Sequence, residues 1–122
     1  MNQDPATRFL ESLSNLDAEE VSGQLCDDAR LSIRSGLLAM GKPKIKKALK
    51  RGISSLNSIR CVPAAVWMKD NVGVIEADVT CERLDGSSTL FPVTLILRFR
   101  NQLIEDIRLY TYEPAALSNF LQ

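Results

Sequence analysis

Apolar residues recur at helical spacing near the start of the chain, where Ala6, Phe9, Leu10 and Leu13 form one stripe. Asp4-Pro5 before it reads as a cap followed by proline at the first helical position, and Asn15 closes the helix. Asp17 and Glu20 have capping-box spacing and open a second short helix through Val21 and Leu25. Cys26-Asp27-Asp28 reads as a turn. Residues 29–35 then alternate Leu31 and Ile33 with Arg30, Ser32 and Arg34, a half-buried strand that Gly36 breaks. A third helix starts near Pro43, with Ile45, Ala48, Leu49 and Ile53 on its buried face. From Ile59 the period changes to two, and residues 59–68, 72–83, 90–100 and 103–112 are predicted as four strands. Their connections, Lys69-Asp70-Asn71, residues 84–88 and Asn101-Gln102, are short and turn-like, which favours antiparallel neighbours. Pro63 and Pro92 fall inside strand patterns, so each marks an edge, a bulge or a bend. Residues 114–120 are predicted to add one last helical turn.

Helices segregated to one face of an antiparallel sheet make an α+β domain. The expected architecture is a cone: a strongly bent antiparallel sheet with three helices across its concave face, one domain spanning residues 1–122. Pockets between such layers are usual ligand sites.

Composition narrows the chemistry. The 122 residues balance fifteen acids with fifteen bases and include no histidine. Imidazole acid–base chemistry is excluded, and so is the commonest metal ligand. Cys26, Cys61 and Cys81 are odd in number and widely spaced, suggesting neither a disulfide framework nor a zinc site; no metal and no cofactor are expected. Reduced cysteines fit a cytoplasmic setting. The first fourteen residues carry acids and no apolar run, so no signal peptide is expected, and no stretch reads as a membrane span. Lys42, Lys44, Lys46, Lys47, Lys50 and Arg51 make the third helix basic, but no aromatic residues interleave with them and nucleic acid is not the expected partner. The basic run reads as the solvated face of an amphipathic helix, partly paired with the acidic N-terminal segment.

The order of elements, and strings spread over nearly the whole chain, resemble the nuclear transport factor two-like superfamily, which includes SnoaL-like cyclases and ketosteroid isomerases. Arg8-Phe9-Leu10-Glu11 through Leu25-Cys26-Asp27-Asp28-Ala29 is similar to a ketosteroid isomerase opening. Ser58-Ile59-Arg60 through Gly73-Val74-Ile75-Glu76-Ala77-Asp78-Val79 resembles the limonene-epoxide hydrolase branch, as do Ala39-Met40-Gly41 and the segment 104–110. The resemblance implies where catalytic groups would stand. Phe9, Ile33 and Leu95 replace the tyrosine, the base and the protonated acid of the isomerases. Leu31, Ile33, Glu76 and Leu109 replace the tyrosine, asparagine, arginine and second aspartate of the epoxide hydrolases, and Asp78 alone matches. The resemblance also implies dimerisation through the sheet.

Two readings of residues 74–82 stand side by side. The resemblance turns Val74, Glu76, Asp78, Thr80 and Glu82 toward the cavity. Binary patterning turns Ile75, Ala77, Val79 and Cys81 there instead. If Glu76 and Asp78 enter an apolar pocket, desolvation and mutual repulsion raise at least one pKa and make a general acid or base. The expected lining is Phe9, Leu13, Leu31, Ile33, Phe91, Val93, Leu95, Leu97, Ile107 and Leu109, which suits a small apolar or amphipathic molecule in a hollow of a few hundred cubic ångströms. The opposite face, with Trp67, Ile96, Tyr110 and Tyr112, is the expected homodimer surface. The leading expectation is a small-molecule-binding domain without its relatives' activities. The alternatives are a diverged hydrolase or isomerase using Asp78 with Glu76, and a structural dimerisation domain.

Overall fold

Local chemistry sets the helices. The computed structural model describes residues 4–33 and 36–111. Helix α1 (Pro5–Ser14) begins where Asp4 Oδ1 accepts the Thr7 amide and Oδ2 accepts the Thr7 hydroxyl, both at 2.8 Å. Asn15 caps its other end. Helix α2 (Ala18–Gly23) begins where Asp17 accepts the Glu20 amide at 3.0 Å. The Glu20 side chain does not close a capping box. It lies 3.1 Å from the hydroxyl of buried Ser12, which also accepts the Gln24 amide at 2.7 Å and so ties α1 to the end of α2. Helix α3 (Lys42–Ser54) follows Gly41, whose φ of 95° is a conformation that L side chains rarely adopt.

Six strands follow the alternation: β1 (Leu25–Ile33), β2 (Gly36–Met40), β3 (Leu56–Lys69), β4 (Val72–Arg83), β5 (Ser88–Arg100) and β6 (Leu103–Thr111). They form one sheet in the order β2-β1-β6-β5-β4-β3. Every neighbouring pair is antiparallel except β1 and β6, which run parallel. The sheet is therefore mixed, a correction to the purely antiparallel expectation. The first strand starts at Leu25, so Cys26-Asp27-Asp28 is strand with an irregular register rather than a turn. Gly36 does not end a strand but opens β2, which the alternation missed because this short edge strand is largely exposed and has no polar partner positions. Pro63 sits at a register shift on the edge strand β3, and Pro92 lies one residue past the last described β5–β6 pair, Val93 with Thr111. Both prolines thus fall where a missing N–H leaves a ladder intact. Tyr112 and the predicted helical turn at 114–120 lie outside the described residues.

The helices cover one face. α1 packs on β3 and β4, and α3 packs on β1 and α2. Between them and the sheet lies one continuous core that includes Phe9, Leu25, Ile45, Ile75, Phe91 and Leu97. Burying each such side chain contributes roughly 1.5–3 kcal/mol. At one end the layers nearly touch: a Cβ built on Gly73 would lie 3.3 Å from the Ala6 Cβ and 3.5 Å from a Phe99 ring carbon. None of the helices among the described residues is long and apolar enough to cross a membrane.

Candidate functional site

Strand alternation decides which side chains face the helices. Ile75, Ala77, Val79 and Cys81 of β4 are buried, and so are Phe91, Val93, Leu95, Leu97 and Phe99 of β5. They project inward with Leu31 of β1 and Ile107 of β6. A cavity of about 70 Å³ remains between this face and the helices. Phe9, Leu13, Leu31, Ile33, Phe91, Val93, Leu95, Ile107 and Leu109 are among the residues that line it. Leu97 does not. It is fully buried opposite Gly73 and Ile107, at the end where α1 closes on the sheet. Leu10, Val21, Ile45, Leu49, Ile59, Cys61 and Val79 complete the lining. Their signal was present in the helical stripes and in the inward parity of β3 and β4, which place them on the same layer as the residues identified.

Among the described residues, the lining holds no carboxylate, hydroxyl, amide or cationic side chain. Its volume is well below the roughly 300–1,000 Å³ of ordinary ligand pockets, so the expected few hundred cubic ångströms is corrected downward. Among the described residues, the Cys61 thiol is the one heteroatom-bearing side chain in the lining. Burial pushes its pKa up, against an opposing hydrogen bond from Ser14. Cys81, on the adjacent strand opposite Ile59, is pushed up to about 11 by burial and by the neighbouring Cys61. Both thiols stay neutral at pH 7 and neither is an activated nucleophile. Among the described residues, no three His, Cys, Asp or Glu side chains converge as a metal site.

Glu76 and Asp78 stand on the other face. Both are exposed, between inward-facing neighbours, and they line a separate open concavity of about 530 Å³ with Ala64, Pro92, Thr94 and Tyr110. The placement that turned them into the hollow is thereby overturned. Burying Ile75, Ala77 and Val79 fixes the strand's parity, and a one-residue slip would exchange the whole apolar set for the charged one. Exposed on the opposite face of the sheet, these carboxylates supply no acid or base to the hollow.

The geometry has counterparts among solved structures. An NTF2-like protein of unknown function from Burkholderia pseudomallei superposes with a TM-score of 0.80 at 14% identity, over 97% of this chain and 95% of that one. An LEH-like epoxide hydrolase from M. tuberculosis gives 0.79 at 16% identity, over 96% and 86%. A protein with a ketosteroid isomerase-like fold from Catenulispora acidiphila, in complex with trimethylamine, gives 0.79 at 13% identity, over 90% and 86%. No family model matches the chain, and no curated protein matches it. At these identities the likeness is one of architecture. The chain has the nuclear transport factor two-like fold, shared with ketosteroid isomerase-like, SnoaL-like and LEH-like structures.

Proposed function

We propose that this chain is a small-molecule-binding domain that takes a compact apolar ligand between its helices and sheet and performs no acid–base chemistry there. The observation that carries the reading is the cavity wall: among the described residues it is made of apolar side chains from three helices and five strands, with a neutral thiol as the sole exception. Such a wall holds a ligand by dispersion and exclusion of water, and it has no group to move a proton. The complex of a similarly folded protein with trimethylamine supports the capacity of this architecture to hold small molecules.

Volume limits the ligand. A dry cavity of roughly 150 Å³ accepts benzene, and the present one is about half that. The ligand is therefore a few heavy atoms across, or it displaces Leu13 or Phe9 as it enters. The test is methyl NMR of the intact chain titrated with xenon, a compact apolar probe. Saturable shifts at Leu31, Leu95 and Leu109 methyls, with none at exposed Leu37, are expected. They should persist in a Glu76→Gln/Asp78→Asn variant, because those carboxylates face away. An absence of saturable shifts at the lining methyls would remove the binding reading.

A further inference from the structure

The apolar cavity is shut at one end and less covered at the other. At the shut end Ala6, in the first turn of α1, stands over Gly73 with the Phe99 ring beside it. Of the cavity wall, Leu13, Ile33, Leu49, Cys61 and Leu109 are half-buried, and the remaining residues are buried. Register and helix rise carry this half-buried group toward the other end. The row of Ile75, Leu95, Leu109 and Ile33 lies two residues along β4 from Gly73, and Val79, opposite Cys61, lies six residues along it. Leu13 stands about two turns beyond Ala6 on α1. β6 runs to the same rim: Thr111 is buried opposite Val93, one inward-facing row past Leu109. Residues 112–122 continue the chain from there.

We propose that residues 112–122 fold back over this rim as a lid, with Leu117, Phe120 and Leu121 laid on Leu13, Leu49 and Leu109. Reach, pattern and chemistry support this occupant. Eleven residues follow Thr111. Extended, they span up to about 36 Å. The stretch from Pro114 to Leu121 spans about 12 Å as a helix, enough to pass from the sheet to a helix layer about 10 Å away. Leu117, Phe120 and Leu121 stand at i, i+3 and i+4, one stripe of a helical turn that Pro114 can open, with Ser118, Asn119 and Gln122 off it. No charged residue follows Glu113, and the cavity wall carries none among the described residues. An uncharged stripe therefore seats on this rim without stripping water from an ion. The competing seat is the concavity on the opposite sheet face, which Thr111 also borders, but Glu76 and Asp78 line it and the segment brings them no cation. A lid over the rim sets the size of what reaches the cavity. That consequence alone rests on the ligand reading; the seat of the segment does not.

Proton–proton contacts in the ligand-free full chain test the seat directly. Methyl-resolved NOE spectra should connect the Phe120 ring to methyls of Leu13, Leu49 and Leu109, and not to exposed Leu37. In a mixture of methyl-labelled and unlabelled copies, isotope-filtered spectra should lose these peaks, because the segment covers its own cavity. Leu117→Asp/Phe120→Asp should lift the lid and raise the fluorescence of 8-anilinonaphthalene-1-sulfonate, a probe of uncovered apolar surface, by about threefold or more. Ser118→Asp/Asn119→Asp, off the stripe, should leave it unchanged, and circular dichroism of each variant checks the fold. An absence of Phe120 contacts to the rim, contacts that survive the isotope filter and so come from another copy, or dye emission unchanged in the Leu117→Asp/Phe120→Asp variant would overturn the proposal. Xenon shifts without the Phe120 contacts would sink the lid and leave the ligand reading standing; the contacts without xenon shifts would do the reverse.

Discussion

Gly73 and Cys81 show how much a single position is constrained by what faces it. A methyl added at Gly73 meets Met68 Sδ at 2.7 Å, which a flexible thioether can yield, but the Ala6 Cβ and the Phe99 ring lie just behind. Gly73→Ala should therefore cost less than about 1 kcal/mol, and Gly73→Val about 2–3 kcal/mol by forcing α1 off the sheet; urea unfolding measures both. Cys81 offers a pH signature. Its folded pKa, about 11, is raised above the ordinary thiol value, so the unfolded chain loses its proton first. The stabilising contribution is full below the unfolded pKa and is lost as pH climbs toward 11. Wild type should lose stability between about pH 9 and 11 more steeply than Cys81→Ala, the difference being read from paired melts. At this scale the sequence was legible in parity and blind to distance. Alternation alone assigns Ile75, Ala77 and Val79 to the core, and it did so correctly against the resemblance that turned Asp78 inward. It could not show that Leu97 faces a closed end, because that depends on how closely α1 approaches Gly73.

Elements with strong local codes were readable from their own residues. Asp4 and Asp17 each bond the amide three residues on, which is why the starts of α1 and α2 could be placed from sequence. Asp17→Ala should cost about 1 kcal/mol, with α2 fraying first in hydrogen exchange. The charge asymmetry also has an element-scale explanation: Lys46 and Lys50 of α3 reach Glu19 of α2 at 2.5 and 3.6 Å. The Lys46 hydrogen bond holds the Glu19 carboxyl below its usual range. This tie is present above the ordinary carboxylate pKa and is lost as pH falls through the depressed one, and salt screens it at such an exposed site. β2 had no comparable code. Leu37 and Met40 are exposed on an edge strand, so neither alternation nor burial marks them. The parallel pairing of β1 with β6 was equally hidden, because it joins residues more than seventy positions apart and rests on no local turn.

For the whole molecule, stability and binding compete for the same space. The residual volume between helices and sheet means that the apolar wall forgoes some dispersion contacts. Filling that space should strengthen the fold and abolish probe binding together. Val79 lines the cavity and is paired with Cys61 and Phe91. Val79→Ile directs one more methylene into the void and should add stability of up to about 0.8 kcal/mol, while xenon shifts at Leu31 and Leu95 disappear. Leu95→Ala runs the other way. It should cost about 2–5 kcal/mol and enlarge the cavity enough to admit benzene. Denaturant melts and methyl titrations on the same two variants measure both quantities. Opposite signs for stability and affinity in each variant are expected if the probe occupies this space, and two changes of the same sign would show that it binds elsewhere.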